Sequence, residues 1–272
     1  MLWNAQFEEL ALDDSRMEYI RFGTGKRVLV MLPGLGESLR SMKGTAVPVA
    51  AMYREFARYF TVYVFGRKEP LAQGASIRSM ARDQAAAMVM LGIEKADIFG
   101  VSMGGMIAQW LAIDFPEKVE HLVLTVTSAE PNPILRESIG EWVELAKAAD
   151  HTEFMRSNLR RIYSADYCRK NMWMAPILGR LTRPKSYDRF FIQADACLKH
   201  DATEELHGIR AKTLVIGGGQ DKALGGEASR QIAAAISGAE LKMYPQWGHG
   251  LYEEEKGFNR TVLDFLLGAG EM

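Results

Sequence analysis

Three residue types capable of carbonyl chemistry stand in glycine-rich surroundings along this chain: a serine in Gly100-Val101-Ser102-Met103-Gly104, an aspartate in Gly219-Gln220-Asp221 and a histidine in Gly248-His249-Gly250. A serine hydroxyl is a poor nucleophile until an imidazole takes its proton. A carboxylate on the far ring nitrogen then holds that imidazole in the useful tautomer. The reaction also needs donors for a developing oxyanion. Met103 follows the serine where a helix begins, so its N–H has no intrahelical acceptor. Leu35 lies in Pro33-Gly34-Leu35-Gly36, where glycine lets the backbone approach a ligand closely.

These residues are far apart in sequence, so the elements that carry them must bring them together. Apolar runs ending at glycine predict strands at 27–32, 60–65, 97–101, 119–126, 213–216 and 241–244, with an earlier arm at 16–22. Helical spacing of apolar residues predicts helices over 45–58, from an N-cap at Ser76 to a stop at Gly92, from Ser102 to Phe115-Pro116, over 228–236 and over 258–267. This alternation argues a mostly parallel sheet with helices on both faces. The strand-turn-helix around Ser102 requires glycine at 100 and 104, because a Cβ there would meet the neighbouring strand and helix. Ser102, Asp221 and His249 each fall just past a strand's C-terminal end, and in a parallel sheet those ends share one edge.

The rhythm breaks between 130 and 206. There the chain reads as helices without strands, at 139–149, 152–163 and 187–198, so residues 1–129 and 207–272 are expected to form the core and 130–206 an inserted helical cap. Trp142 and Trp173 are its expected substrate-binding residues. No internal repeat or low-complexity tract appears.

Composition narrows the partners. The 272 residues carry 33 Lys plus Arg against 34 Asp plus Glu, which points away from nucleic acid and from anionic membranes. No window supplies the ~18 uninterrupted apolar residues of a membrane span, and the N-terminus lacks the basic start and apolar segment of a leader, so a cytoplasmic protein with a small-molecule substrate is expected. Cys168 and Cys197 have no metal-ligand spacing and read as apolar side chains; no metal and no cofactor is expected. Glu253-Glu254-Glu255 reads as a solvated helix start, and Gly217-Gly218-Gly219 as a turn rather than a phosphate loop. His121, His151, His200 and His207 fall away from the expected edge. Asp195 and Asp201 are the rival carboxylates to Asp221.

With these motifs in this order the chain resembles the α/β-hydrolases over nearly its whole length. The resemblance implies Ser102 as nucleophile, His249 as general base, Asp221 as its orienting acid, and the amides of Leu35 and Met103 as the oxyanion hole. It departs from many relatives in having Pro33-Gly34-Leu35-Gly36 for His-Gly-x-Gly and Gly66-Arg67-Lys68-Glu69 for Asp-x-Arg-Gly. The expected activity is hydrolysis of an ester of a small, largely apolar substrate through an acyl-enzyme. Carbon–carbon hydrolysis, thioester hydrolysis and acyl transfer use the same residues, and a non-catalytic ligand-binding protein on the same fold is the alternative of another class. A dinucleotide-binding protein is disfavoured, because no Gly-x-Gly-x-x-Gly follows the first parallel strand.

Overall fold

The computed structural model describes residues 2–12 and 14–268. Eight strands form one sheet: β1 (Gln6–Leu12), β2 (Ser15–Phe22), β3 (Arg27–Leu32), β4 (Phe60–Glu69), β5 (Ala96–Val101), β6 (Val119–Thr125), β7 (Lys212–Gly218) and β8 (Glu240–Tyr244), in the order β1-β2-β4-β3-β5-β6-β7-β8. The pairs from β4 through β8 are parallel, and β2 runs antiparallel to both β1 and β4.

Burial follows from that order. The central β5 is buried at every position, as a strand covered on both faces must be, whereas β8 at the edge keeps Glu240, Leu241 and Lys242 exposed. Helices α2 (Ile77–Met90), α3 (Met103–Asp114) and α9 (Glu227–Ala235) close one face with Met80, Met88, Ile107, Leu111 and Ile232; α1 (Ala46–Met52) and α11 (Phe258–Leu267) close the other with Ala50, Phe258, Val262 and Leu266. Ser76 caps α2 by accepting from the Ser79 N–H at 3.0 Å.

Between β6 and β7 the chain makes five helices and no strand: α4 (Pro133–Lys147), α5 (His151–Ile162), α6 (Ala165–Asn171), α7 (Ala175–Leu181) and α8 (Asp188–Leu198). A short α10 (Leu251–Glu254) precedes α11. The helix expected over 139–149 begins earlier, because Asn132 accepts from the Leu135 N–H and Pro133 opens the first turn. The helix expected over 45–58 is shorter, ending at Met52 before a separate turn at Phe56–Arg58. Strand β4 runs past its expected end at Gly66, where a Cβ would sit 2.9 Å from the Glu18 carbonyl oxygen; the glycine lets β4 pass a register shift in β2.

The chain reverses its direction of strand addition around β3, whose neighbours are β4 on one side and β5 on the other. Connections leaving adjacent strands to opposite faces open a crevice at their C-terminal ends. That crevice lies between Pro33-Gly34-Leu35-Gly36 after β3 and the Ser102 turn after β5.

Candidate active site

Ser102 occupies φ 55°, ψ −121°, a conformation that non-glycine residues rarely hold. Its surroundings enforce it. The Ser102 N–H donates to the Thr125 carbonyl at 2.9 Å, and its own carbonyl accepts from Gly105 N at 2.8 Å and Thr127 Oγ1 at 2.7 Å. A Cβ on Gly104 would stand 1.9 Å from the Leu32 carbonyl oxygen, and one on Gly100 2.5 Å from that of Gly104. The two glycines thus let β5 and α3 close up around the turn and push the serine side chain outward.

Gly34 comes so near that a Cβ on it would lie 3.3 Å from the Ser102 Cβ. Leu35 opens the short helical turn Leu35–Leu39 and Met103 opens α3, so each carries a first-turn N–H that the helix itself does not use. The loop of Leu35 is held from behind. Arg67 donates from Nη2 to the Pro33 carbonyl, the Arg67 N–H donates to Glu37 at 3.1 Å, and Arg189 on α8 pairs with the Glu37 carboxylate, which Gln193 also reaches. Burial lowers the pKa of the Arg67 guanidinium, with Glu37 opposing that shift. Arg67, in the segment that departs from the relatives' pattern, is thus buried beneath the loop.

On the opposite side of the crevice, His249 Nδ1 lies 2.8 Å from Asp221 Oδ2, both side chains nearly fully buried. The other carboxylate oxygen of Asp221 accepts from the N–H groups of Ala223 at 2.8 Å and Leu224 at 3.0 Å. Three of the four preferred acceptor positions are thereby used, and the carboxylate cannot turn away from the ring. The histidine loop is pinned as well: Gln220 N donates to the Trp247 carbonyl at 2.9 Å and Gly250 N to that of Ile162 at 2.7 Å.

Two chambers meet here. One of about 410 Å³ includes Met31, Val49, Tyr53, Phe99, Val101 and Phe154 among its lining residues; the other, about 30 Å³, is enclosed by buried Met103, Met106, Leu135, Ile139, Cys197, Ala223 and Leu224. Leu35, Ser102, Trp142 and His249 line both. Trp142 is buried with no hydrogen-bond partner for its indole N–H among the described residues.

Trp173 corrects the sequence expectation. It stands 67% exposed on a turn between α6 and α7, donates to the Lys170 carbonyl and lines neither chamber. Glu253 is a correction in the other direction. Expected in a solvated helix start, it lines the larger chamber and accepts from the Tyr163 hydroxyl at 2.7 Å, while Glu254 instead accepts from Ser164 Oγ and its backbone N–H. Three of the other histidines have local partners: His121 with Asp97 at the far end of β5, His151 with Tyr187, and His200 with Trp110. Among the described residues no group of three or more His, Cys, Asp or Glu side chains is arranged to hold a metal ion.

A model of the α/β hydrolase fold family matches residues 23–256. The chain belongs to that family. Among its relatives is the 2-hydroxy-6-oxononadienedioate/2-hydroxy-6-oxononatrienedioate hydrolase of Klebsiella pneumoniae, 26% identical over 90% of this chain and 88% of that one. Another is the 2-hydroxy-6-oxo-6-phenylhexa-2,4-dienoate hydrolase of Comamonas testosteroni, 25% identical over 96% and 95%. The solved enol-lactonase of Burkholderia xenovorans LB400 superposes with a TM-score of 0.82 at 22% identity, covering 96% of this chain and all of that one. This α/β-hydrolase is thus an enzyme, and no helix among its described residues is long and apolar enough to cross a membrane.

Proposed function

We propose that this hydrolase cleaves esters of a short acyl group through an acyl-enzyme on Ser102. Because Asp221 engages Nδ1 of His249, Nε2 is the nitrogen left to take the serine proton as Oγ attacks the carbonyl. The oxyanion is received by the N–H groups of Leu35 and Met103, and the Trp142 indole N–H is left to donate to a second substrate oxygen. His249 then protonates the departing alcohol and activates the water that releases the acyl group. The helices of 130–206 act as the cap, with Trp142 its contribution to the site.

The observation that carries this reading is the junction of two unequal chambers at Ser102. A space of about 30 Å³ takes roughly two water-sized groups, the bulk of an acetyl-sized acyl chain. The leaving alcohol must depart while the acyl group is still bonded to the enzyme, so the larger chamber suits the alcohol. Carbon–carbon hydrolysis, the reading that two relatives' names favour, takes substrates that as named are carboxylates; the larger chamber would set Glu253 and Glu37 against Arg40 around such a group.

Release of p-nitrophenol from acetate, butyrate and octanoate esters tests the proposal. The acetate is expected to give the highest kcat/KM, with octanoate lower by about 100-fold or more. Equal turnover of octanoate would contradict the short-acyl reading. So would hydrolysis of a 2-hydroxy-6-oxo dienoate without any ester hydrolysis.

A further inference from the structure

The walls of the larger chamber are mostly apolar, and Glu253 of α10 lines it together with Tyr53, Tyr252 and Asn158. Its surroundings raise the carboxyl pKa: burial has the largest effect, opposed by the Tyr163 and Tyr252 hydroxyls and by His249. Glu253 is nonetheless an exposed residue, and it lines the chamber.

What is missing around it is a cation. Among the described residues no lysine or arginine forms an ion pair with Glu253. Its neighbours are phenols and aromatic faces: Tyr163 donates to it and stacks on Tyr167 at 4.1 Å, Tyr53 sits edge-on to Phe99, and Tyr252 edge-on to Phe258. A carboxylate among aromatic rings attracts one ligand chemistry above others, an ammonium, through its charge and the negative faces of the rings.

The geometry points to the Glu253 end of the chamber as the recognition site for a substituted ammonium on the alcohol arm of the substrate. This deepens the ester reading above and rests on it. Asn158 lines the same chamber, and its apolar walls, Val101, Phe99 and Val49 among them, accommodate the methylenes joining ester and amine. The substrate class is then a short-chain ester of an amino alcohol, and the same carboxylate repels an acid at that end.

Three acetate esters of matched length, whose alcohol arms end in trimethylammonium, tert-butyl or carboxylate, test this on the wild type and on Glu253→Gln. The wild type is expected to rank them cationic, neutral, anionic by kcat/KM. In Glu253→Gln the cationic-to-neutral ratio is expected to fall about tenfold. A wild-type ratio near one, or a ratio that Glu253→Gln leaves in place, overturns the proposal. Should the wild type turn over no ester at all, the ester reading fails by itself, and calorimetry on Ser102→Ala with benzyltrimethylammonium decides the site. Saturable binding that the added Glu253→Gln change removes sustains the ammonium site, and absence of binding overturns it.

Discussion

At the scale of single residues the account turns on how firmly His249 is held. Its partner Asp221 is fixed by two backbone donors, so Asp221→Asn keeps the shape while presenting an amide that stabilises the wrong tautomer. A fall in kcat of about 10⁴-fold toward p-nitrophenyl acetate is expected, with an unchanged far-ultraviolet spectrum. His200 makes a separate prediction. Burial lowers its pKa from 6.5 to about 4, and Nδ1 accepts the Trp110 indole N–H at 3.3 Å, which requires the neutral ring. Between those two values the unfolded chain binds the proton more readily, so stability contributed by His200 is present above pH 6.5 and is lost as pH falls toward 4, by up to about 3 kcal/mol. Urea midpoints across this window should fall less steeply in His200→Gln than in the wild type.

At the scale of elements, two close approaches position the reacting groups. The Cβ of Gly104→Ala would meet the Leu32 carbonyl oxygen, so α3 must back away from β3; a loss of about 2–4 kcal/mol in stability and of most activity is expected by denaturant titration and ester assay. The second is the tie between α8 and the Leu35 turn through Arg189 and Glu37. Arg189→Gln should lower kcat about tenfold with little change in KM, because the loop that receives the oxyanion loses its support, and Arg189→Lys should restore part of it. A change confined to KM would assign Arg189 to substrate binding instead.

Much at this scale was legible in the sequence. Strands such as β3 and β5 are apolar throughout because both faces are covered, and glycine marks where each stops, so Ser102, Asp221 and His249 could be placed at strand ends by pattern alone. Strand β1 was not, because Glu8 and Glu9 break its apolar alternation and only the pairing with β2, including the Glu8 contacts to Tyr19 and Arg21, makes it a strand. The seven-residue α6 and α7 make about two turns each, too few for a helical period to show. Glu253 was hidden for another reason: three consecutive glutamates look alike in sequence, and only the turn of α10 separates the one facing the chamber from the one capping Ser164.

At the scale of the whole molecule, the sheet brings three distant segments to one crevice and the helices between β6 and β7 complete its walls. The central claim is that this crevice activates Ser102 as a nucleophile. A fluorophosphonate probe followed by peptide mass spectrometry tests that directly, since such a probe reacts with a serine whose proton is withdrawn and whose oxyanion is received. The account predicts a single labelled residue, Ser102, with labelling abolished in Ser102→Ala and strongly slowed in His249→Ala. An unlabelled protein, or labelling that His249→Ala leaves unchanged, would contradict it.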